Sequence, residues 1–265
     1  MALDSWNNID KFTLECEEYY CAFLDILGYK NKSDEFFNES FNLHGRFERA
    51  LSVSMQMLEM VSRMGFVNTS ELGVKFFSDS IVVTHPKKIN EVDALYNVLF
   101  FCRVLAAQLS FEGLFVRGGI SQGEHVEKNN SNHKFSFLSS KALERAYKLE
   151  SEKAVTPRIL IDENVVQDAK GLTLSLIVKD GSEYMLHFAP QLINDQGNNQ
   201  REVKLEMKDI YKTYKYESNQ RVKEKYQWLL CYYYWTLTTT PNVNIRDFEK
   251  FKVGDIGSFE KVEKF

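Results

Sequence analysis

Short β-rich runs alternating with helical stripes predict an α/β fold of the α+β kind, a sheet flanked by helices, for this 265-residue chain. Two further observations agree. Two β-rich arms close around Ser78-Asp79-Ser80 as a hairpin, and only 4 Pro and 13 Gly are present, too few for long unstructured linkers. The length suits one sizeable core, and 20 Phe with 13 Tyr supply large burial per side chain.

The elements follow in order. Tyr19 to Leu27 is aromatic and apolar apart from Asp25 and reads as a buried strand ending at Gly28. Phe37, Phe41, Phe47, Leu51, Met55, Leu58 and Val61 approximate a helical stripe, predicting one long helix from Asp34 to Met64 with its weak point near Gly45 and its close at Gly65. Gly73 to Thr84 is the hairpin, with Asp79 at its tip. Leu95, Val98, Leu99, Cys102, Leu105 and Ala106 mark a helix over Glu91 to Leu109, and Leu114 to Ser121 returns as a strand carrying Arg117-Gly118-Gly119.

His125 to Lys134 reads as a polar loop, and Ser139 to Glu152 as a helix with its charges on one side. Arg158 to Ile161 predicts a short strand and Glu163 to Ala169 a short helix. Leu172 to Val178 and Tyr184 to Phe188 predict a hairpin around Lys179-Asp180-Gly181. From Val203 helix formers and aromatics dominate through Trp228 and Trp235, and after Pro241 a polar tail is expected. No internal repeat or low-complexity tract is present.

The net charge of −4 opposes a polyanion, so bulk nucleic-acid binding is disfavoured and phosphate must meet a local cation or metal. Cys16, Cys21, Cys102 and Cys231 lack Cys-x-x-Cys spacing, which suits buried free thiols in a reducing compartment. Met1 to Lys11 lacks a signal-peptide pattern, and no apolar run approaches the roughly 20 residues of a membrane span. A soluble cytoplasmic protein is expected.

A dry, unpaired carboxylate at the end of an apolar strand costs several kcal/mol, so Asp25 requires a metal, a cation or hydrogen-bond donors. Asp79 can reach the same point from its hairpin tip. Two such carboxylates suit a pair of divalent ions, and a solvated turn Asp beside a locally paired Asp is the plainer alternative.

Five segments go further: FLDILGY at 23–29, KFFSDSIVV at 75–83, VRGGISQGE at 116–124, ERAYKLES at 144–151 and RILID at 158–162. In this order they resemble the catalytic domain of class III adenylate and guanylate cyclases, over Tyr19 to Phe188. The resemblance implies a ferredoxin-like central mixed sheet flanked by helices over residues 1–190, with a C-terminal helical extension over 200–265. It implies two divalent metals, Mg²⁺ or Mn²⁺, on Asp25, Asp79 and the Ile26 carbonyl, and a triphosphate on the amides of Leu27, Gly28 and Tyr29. Lys75 matches the base-reading lysine, Phe77 shapes the base pocket, and Phe137 falls where the family has its adenine-reading Asp. Lys179 resembles the late triphosphate lysine. Glu144 and Lys148 replace the family's Asn and Arg, so Lys148 supplies positive charge without the guanidinium fork.

The size, the aromatic extension and the FSDS and RGGIS forms further resemble the pyrimidine cyclases of bacterial Pycsar anti-phage systems. That resemblance implies formation of cCMP or cUMP from CTP or UTP, a homodimer with shared active sites, and a separate cyclic-nucleotide-responsive effector. Asp25 and Asp79 would belong to one protomer, with Lys75 or Lys148 approaching from the other. The alternatives are an adenylate or guanylate cyclase, an inactive cyclase-like nucleotide-binding module, and a diguanylate-cyclase-like palm domain. DILGYK echoes the palm strand, but the GG-[DE]-EF hairpin is absent.

Overall fold

In the computed structural model, residues 16–38, 42–65, 70–88, 92–130, 135–193 and 199–262 are described. Strand β1 (Glu17–Ile26) lies in the middle of the sheet because its apolar half, Tyr20 to Ile26, can be buried on both sides. It pairs antiparallel with β3 (Ser80–Pro86) on one edge and with β4 (Val116–Asn130) on the other. Strand β2 (Gly73–Phe77) extends the sheet beyond β3. Helices α1 (Tyr29–Phe37) and α2 (Leu43–Arg63) connect β1 to β2, and α3 (Val92–Phe111) connects β3 to β4. The order β2-β3-β1-β4 with two interleaved helical crossovers is a ferredoxin-like arrangement.

The chain continues through β5 (Phe135–Ser140), α4 (Lys141–Lys148), a wide helical turn Leu149–Lys153, β6 (Ile159–Ile161) and α5 (Glu163–Asp168). A 3₁₀ turn Gly171–Leu176 leads to β7 (Ile177–Asp180), β8 (Glu183–Leu186) and α6 (Ala189–Ile193). Helices α7 (Gln200–Tyr216) and α8 (Gln220–Thr239), a second 3₁₀ segment Ile245–Phe251 and β9 (Phe259–Lys261) follow. Strand β6 runs parallel to β4, and the sheet order continues β4-β6-β8-β7-β9. The fold is therefore α+β, a mixed sheet flanked by helices.

Several boundaries differ from the sequence expectation. The single helix over Asp34 to Met64 is two helices, because Asn42 Oδ1 accepts from the Gly45 amide at 2.9 Å and starts α2 there. Gly45 thus sits in a first turn, not at a break; Phe41 lies outside the described residues. The loop expected over His125 to Lys134 is strand as far as Asn130, since β5 supplies backbone partners from His125↔Ser140 to Asn130↔Phe135. A polar run with low β-propensity becomes strand when a partner satisfies its ladder. Residues 131–134 lie outside the described residues.

Ser140 caps α4, accepting from the Leu143 amide at 3.0 Å, so the helix starts after Ser139. The expected polar tail instead buries Phe248, Phe251 and Phe259, and β9 joins β7 in the sheet. Charged neighbours mask this spaced aromatic pattern. Cys16 is exposed, whereas Cys21, Cys102 and Cys231 are buried, and all four are free thiols. Helix α3 corrects the reading of apolar runs: Ala94–Phe111, with mean hydropathy 1.5, is long and apolar enough to cross a membrane. Most of it is buried, and its length and composition also suit a core helix.

Register separates the two sheet faces. Phe76, Ile81, Leu24 and Gly118 are cross-strand neighbours, and Phe76 packs edge-on against Phe47 of α2, so this face meets the α2–α3 layer. Phe77, Ser80, Asp25 and Arg117 line up on the opposite face, as do Lys75, Val82, Phe23 and Gly119. Helix α4 covers part of that face, with Tyr147 against Phe23 at 5.3 Å. Gly119 permits this approach, since a Cβ there would stand 2.2 Å from the Ala146 carbonyl oxygen.

Candidate active site

Asp25 is the penultimate residue of β1, and its strand partners are Ser80 and Arg117. The hairpin turn Ser78-Asp79 is tight, with Ser78 at φ 55°. The Ile26 amide donates to the Asp79 carbonyl at 2.9 Å, which fixes the hairpin tip beside the end of β1. Asp25, Ile26 and Asp79 are thus brought together, from segments that the sequence already marked.

The same point holds three charges that the sequence reading did not assign. Arg117 Nε donates to Asp25 Oδ2 at 3.1 Å, and its Nη2 lies 2.7 Å from Glu150 Oε1. Glu150, in the wide turn after α4, is only 3% exposed. Lys225 projects from α8 near enough to act on the charges of Asp25 and Arg117.

Burial raises the Asp25 pKa above the usual carboxylate range; Arg117 opposes this, Asp79 adds to it, and Lys225 opposes it. Burial likewise raises Glu150, opposed by Arg117 and reinforced by Asp25 and Asp79. Burial lowers Lys225, Arg117 lowers it further, and Asp25 raises it. Three acids therefore face two cations.

Next to this cluster, the Leu27 amide donates to the Phe115 carbonyl at 2.9 Å, and Gly28 turns the chain at φ 71° with open space where a side chain would begin. Helix α1 starts at Tyr29 with no side-chain cap and no acid in its first turn, a configuration favourable to an anion.

The other expected residues engage elsewhere within the chain. Lys75 pairs closely with Glu127 of β4. Lys148 Nζ donates to Glu144 Oε1 at 3.1 Å on the exposed side of α4, and Glu144 also accepts from Lys141 at 2.8 Å. Lys179 stands over the Tyr184 ring at 5.0 Å. Phe77 and Phe137 are solvent-facing, at 57% and 48% exposure. Tyr232, Tyr233 and Tyr234 of α8 are core residues.

Arg117 was detectable as a charge in an apolar strand, and Glu150 as the acid closing KLES. Lys225 had no local signal, because only tertiary folding brings α8 to β1.

The donor set fits hard divalent cations. Two carboxylates and a main-chain carbonyl are oxygen ligands of the kind Mg²⁺ and Mn²⁺ take, and the acids outnumber the cations around them. Among the described residues, no group of three His, Cys, Asp or Glu side chains converges as a ready metal cage. A metal here would thus need ligands beyond the protein, as substrate phosphates provide.

No family model matches the chain, and no curated protein does. Among solved structures it is similar to the guanylate cyclase domain of RhGC from Catenaria anguillulae in complex with GTP. That match has 15% identity and TM-score 0.43, covering 64% of this chain and 93% of that one. It is similar to the adenylyl cyclase CyaB from P. aeruginosa at 17% identity and TM-score 0.41, covering 65% and 94%. A bacterial light-regulated adenylyl cyclase matches at 15% identity and TM-score 0.46, covering 64% and 51%.

Proposed function

We propose that the protein is a nucleotidyl cyclase, converting a nucleoside triphosphate to its 3′,5′-cyclic monophosphate and pyrophosphate. The observation carrying this reading is the meeting of Asp25 and Asp79 at one end of a ferredoxin-like sheet, beside the uncapped start of α1. Residues 1–190 act as the catalytic unit and 200–265 as its extension, in a cytoplasmic setting.

In this reading the triphosphate lies along the amides of Gly28 and Tyr29, since the Leu27 amide is already given to the Phe115 carbonyl, with Ile26 and Asp79 joined beneath it. Asp25 and Asp79 hold two divalent ions, which when bound supply positive charge to the ribose 3′-oxygen and the phosphates. The 3′-oxygen forms a bond to the α-phosphorus, the bridging oxygen departs with pyrophosphate, and the hydroxyl proton passes to solvent. No protein nucleophile is used. Arg117 fixes the Asp25 carboxylate through Oδ2 and ties it to Glu150, so the acid keeps its orientation.

The exposed rings of Phe77 and Tyr147 lie on the sheet face that carries Lys75 and suit burial against a second protomer, whereas the exposed Phe137 falls on the opposite face. A homodimer with shared sites follows, in which Lys148 and Lys179 of one copy reach the phosphates of the other and Lys75 the base.

For the base, the structures to which the chain is similar include guanylyl and adenylyl cyclases. A purine triphosphate is thus the first substrate to test. Phe137 supports a second reading in which the pyrimidine is uracil, since its ring offers no acceptor to the exocyclic amine that adenine and cytosine both carry. Incubation with ATP, GTP, CTP and UTP separately, with Mn²⁺ or Mg²⁺ and mass-spectrometric product identification, tests both. A cyclic mononucleotide from any of the four supports the activity and names the base. No product from any, in a sample shown to be dimeric, overturns it.

A further inference from the structure

A cavity of about 830 Å³ lies away from the Asp25 site, where α3, the 3₁₀ turn Gly171–Leu176, the last residues of α8 and strands β7 and β9 meet. Thr239 and Thr240 line it. Tyr226, toward the other end of α8, packs on Phe115, whose carbonyl accepts from the Leu27 amide. The helix between these two places spans roughly 20 Å. Aliphatic side chains form much of the cavity wall, among them Leu174, Val178 and Val262. Its size and lining are those of a site for a small organic molecule.

The polar groups of the cavity are one-sided. Arg103 of α3 and Lys261 of β9 line it, and among the described residues no Asp or Glu does. Lys261 stands opposite Val178 in the β7–β9 register, so both side chains lie on the sheet face that walls the cavity. Lys261 is exposed and forms no ion pair with a described residue.

His187, only 6% exposed, lines the same space and supplies a third donor. The Tyr232 hydroxyl accepts from the Ala189 amide at 3.1 Å, which leaves Nδ1 of His187, 2.9 Å away, to accept the hydroxyl's own proton. Burial, with Arg103 and Lys261, lowers the His187 pKa to about 3 and keeps the ring neutral. A neutral imidazole that accepts at Nδ1 carries its proton on Nε2. No described residue accepts from Nε2, and the cavity is the space left for its partner. A buried N–H without an acceptor is disfavoured, and two cations beside it select an acceptor that is negative.

We infer that this cavity binds a small organic anion, its carboxylate or phosphate head held by Lys261, Arg103 and the His187 Nε2–H, its apolar body set against Leu174 and Val262. The site is independent of the cyclase reading, since it uses none of the residues assigned to the nucleotide or the metals.

The test is calorimetric titration of the full-length protein, without divalent metal, with 2-naphthoate, 2-naphthyl phosphate and the neutral 2-naphthol. Wild type should bind at least one of the two anions about tenfold or more tighter than 2-naphthol, and the tighter anion names the head. Lys261 is exposed, so its variants should fold. Lys261→Met should weaken that binding about tenfold, whereas Lys261→Arg, which keeps the charge, should stay within about threefold. Lys223→Met, over the Tyr214 ring of α7 at 5.2 Å and outside the cavity, should bind like wild type. Failure of wild type to bind either anion overturns the inference. So does binding of 2-naphthol as tight as that of the anions, or equal anion binding by Lys261→Met and wild type. Each of these outcomes leaves the cyclase reading untouched.

Discussion

At the scale of single residues, the site tests whether a charge is present for folding or for chemistry. Asp25→Asn leaves Arg117 still paired with Glu150 and removes one of three crowded acids. Turnover should fall about a hundredfold or more while unfolding free energy stays within about 1 kcal/mol of wild type. Unchanged turnover in this variant and in Asp79→Asn would end the metal-carboxylate assignment. Arg117→Met leaves Asp25 and Glu150 facing each other without their cation. Because Asp25 and Arg117 are partly open to solvent while Glu150 is nearly buried, the expected loss is about 3 kcal/mol, at the low end of the range for a buried broken pair. That loss should shrink as pH falls toward 5, since protonation relieves two acids that burial already pushes upward. Chemical unfolding at two pH values measures it. Asp25 and Asp79 were legible in the sequence because a carboxylate in an apolar strand and one at a hairpin tip are conspicuous on their own. Lys225 was not, because a lysine on a mixed helix says nothing about what that helix will cross.

At the scale of elements, two glycines of the site separate backbone freedom from packing. Gly28 has φ 71° and open space around it, so Gly28→Ala meets backbone strain alone, about 1 kcal/mol. Gly119 has no such strain, yet its Cβ would stand 2.2 Å from the Ala146 carbonyl and 2.6 Å from Leu149 Cβ. Gly119→Ala must push α4 off β4, at about 2–3 kcal/mol, and it carries the Leu149–Lys153 turn and Glu150 with it. Thermal unfolding should rank Gly119→Ala as the more damaging; the reverse order would mean that α4 is free to slide. Strands β1 to β4 were legible because each is a short apolar run bounded by a glycine or a turn. The extension of β4 to Asn130 was not, because its residues are polar and only β5 makes them a strand. Helix α1 was merged with α2 because an apolar stripe continued across a break that Asn42 creates by capping.

At the scale of the whole molecule, the extension is joined to the core by buried titratable groups, and these should write a signature into stability against pH. Glu206 of α7 is half-buried, accepting from Tyr233 of α8 at 2.9 Å and from Ser110 of α3, and loss of solvent around its carboxyl raises its pKa from the usual 4.5 to about 7. Across that window the native state keeps a proton that the unfolded chain has lost, so stability falls as pH rises from 4.5 to about 7. His187, bonded to Tyr232 of α8 at 2.9 Å, behaves oppositely: burial, with Arg103 and Lys261, lowers it from 6.5 to about 3. The unfolded chain takes up a proton that the native state refuses, so stability falls as pH drops from 6.5 to about 3. Between pH 4.5 and 6.5 the two slopes oppose each other, and wild type should show a shallow profile there. Glu206→Gln removes only the Glu206 slope. Its unfolding free energy relative to wild type should rise by on the order of 3 kcal/mol between pH 4.5 and about 7.5, whatever the constant cost of the amide. Urea titrations at several pH values read this difference directly. A difference that stays flat would mean that Glu206 titrates as an ordinary surface acid, and that α7 does not seal against α3 and α8 at this point.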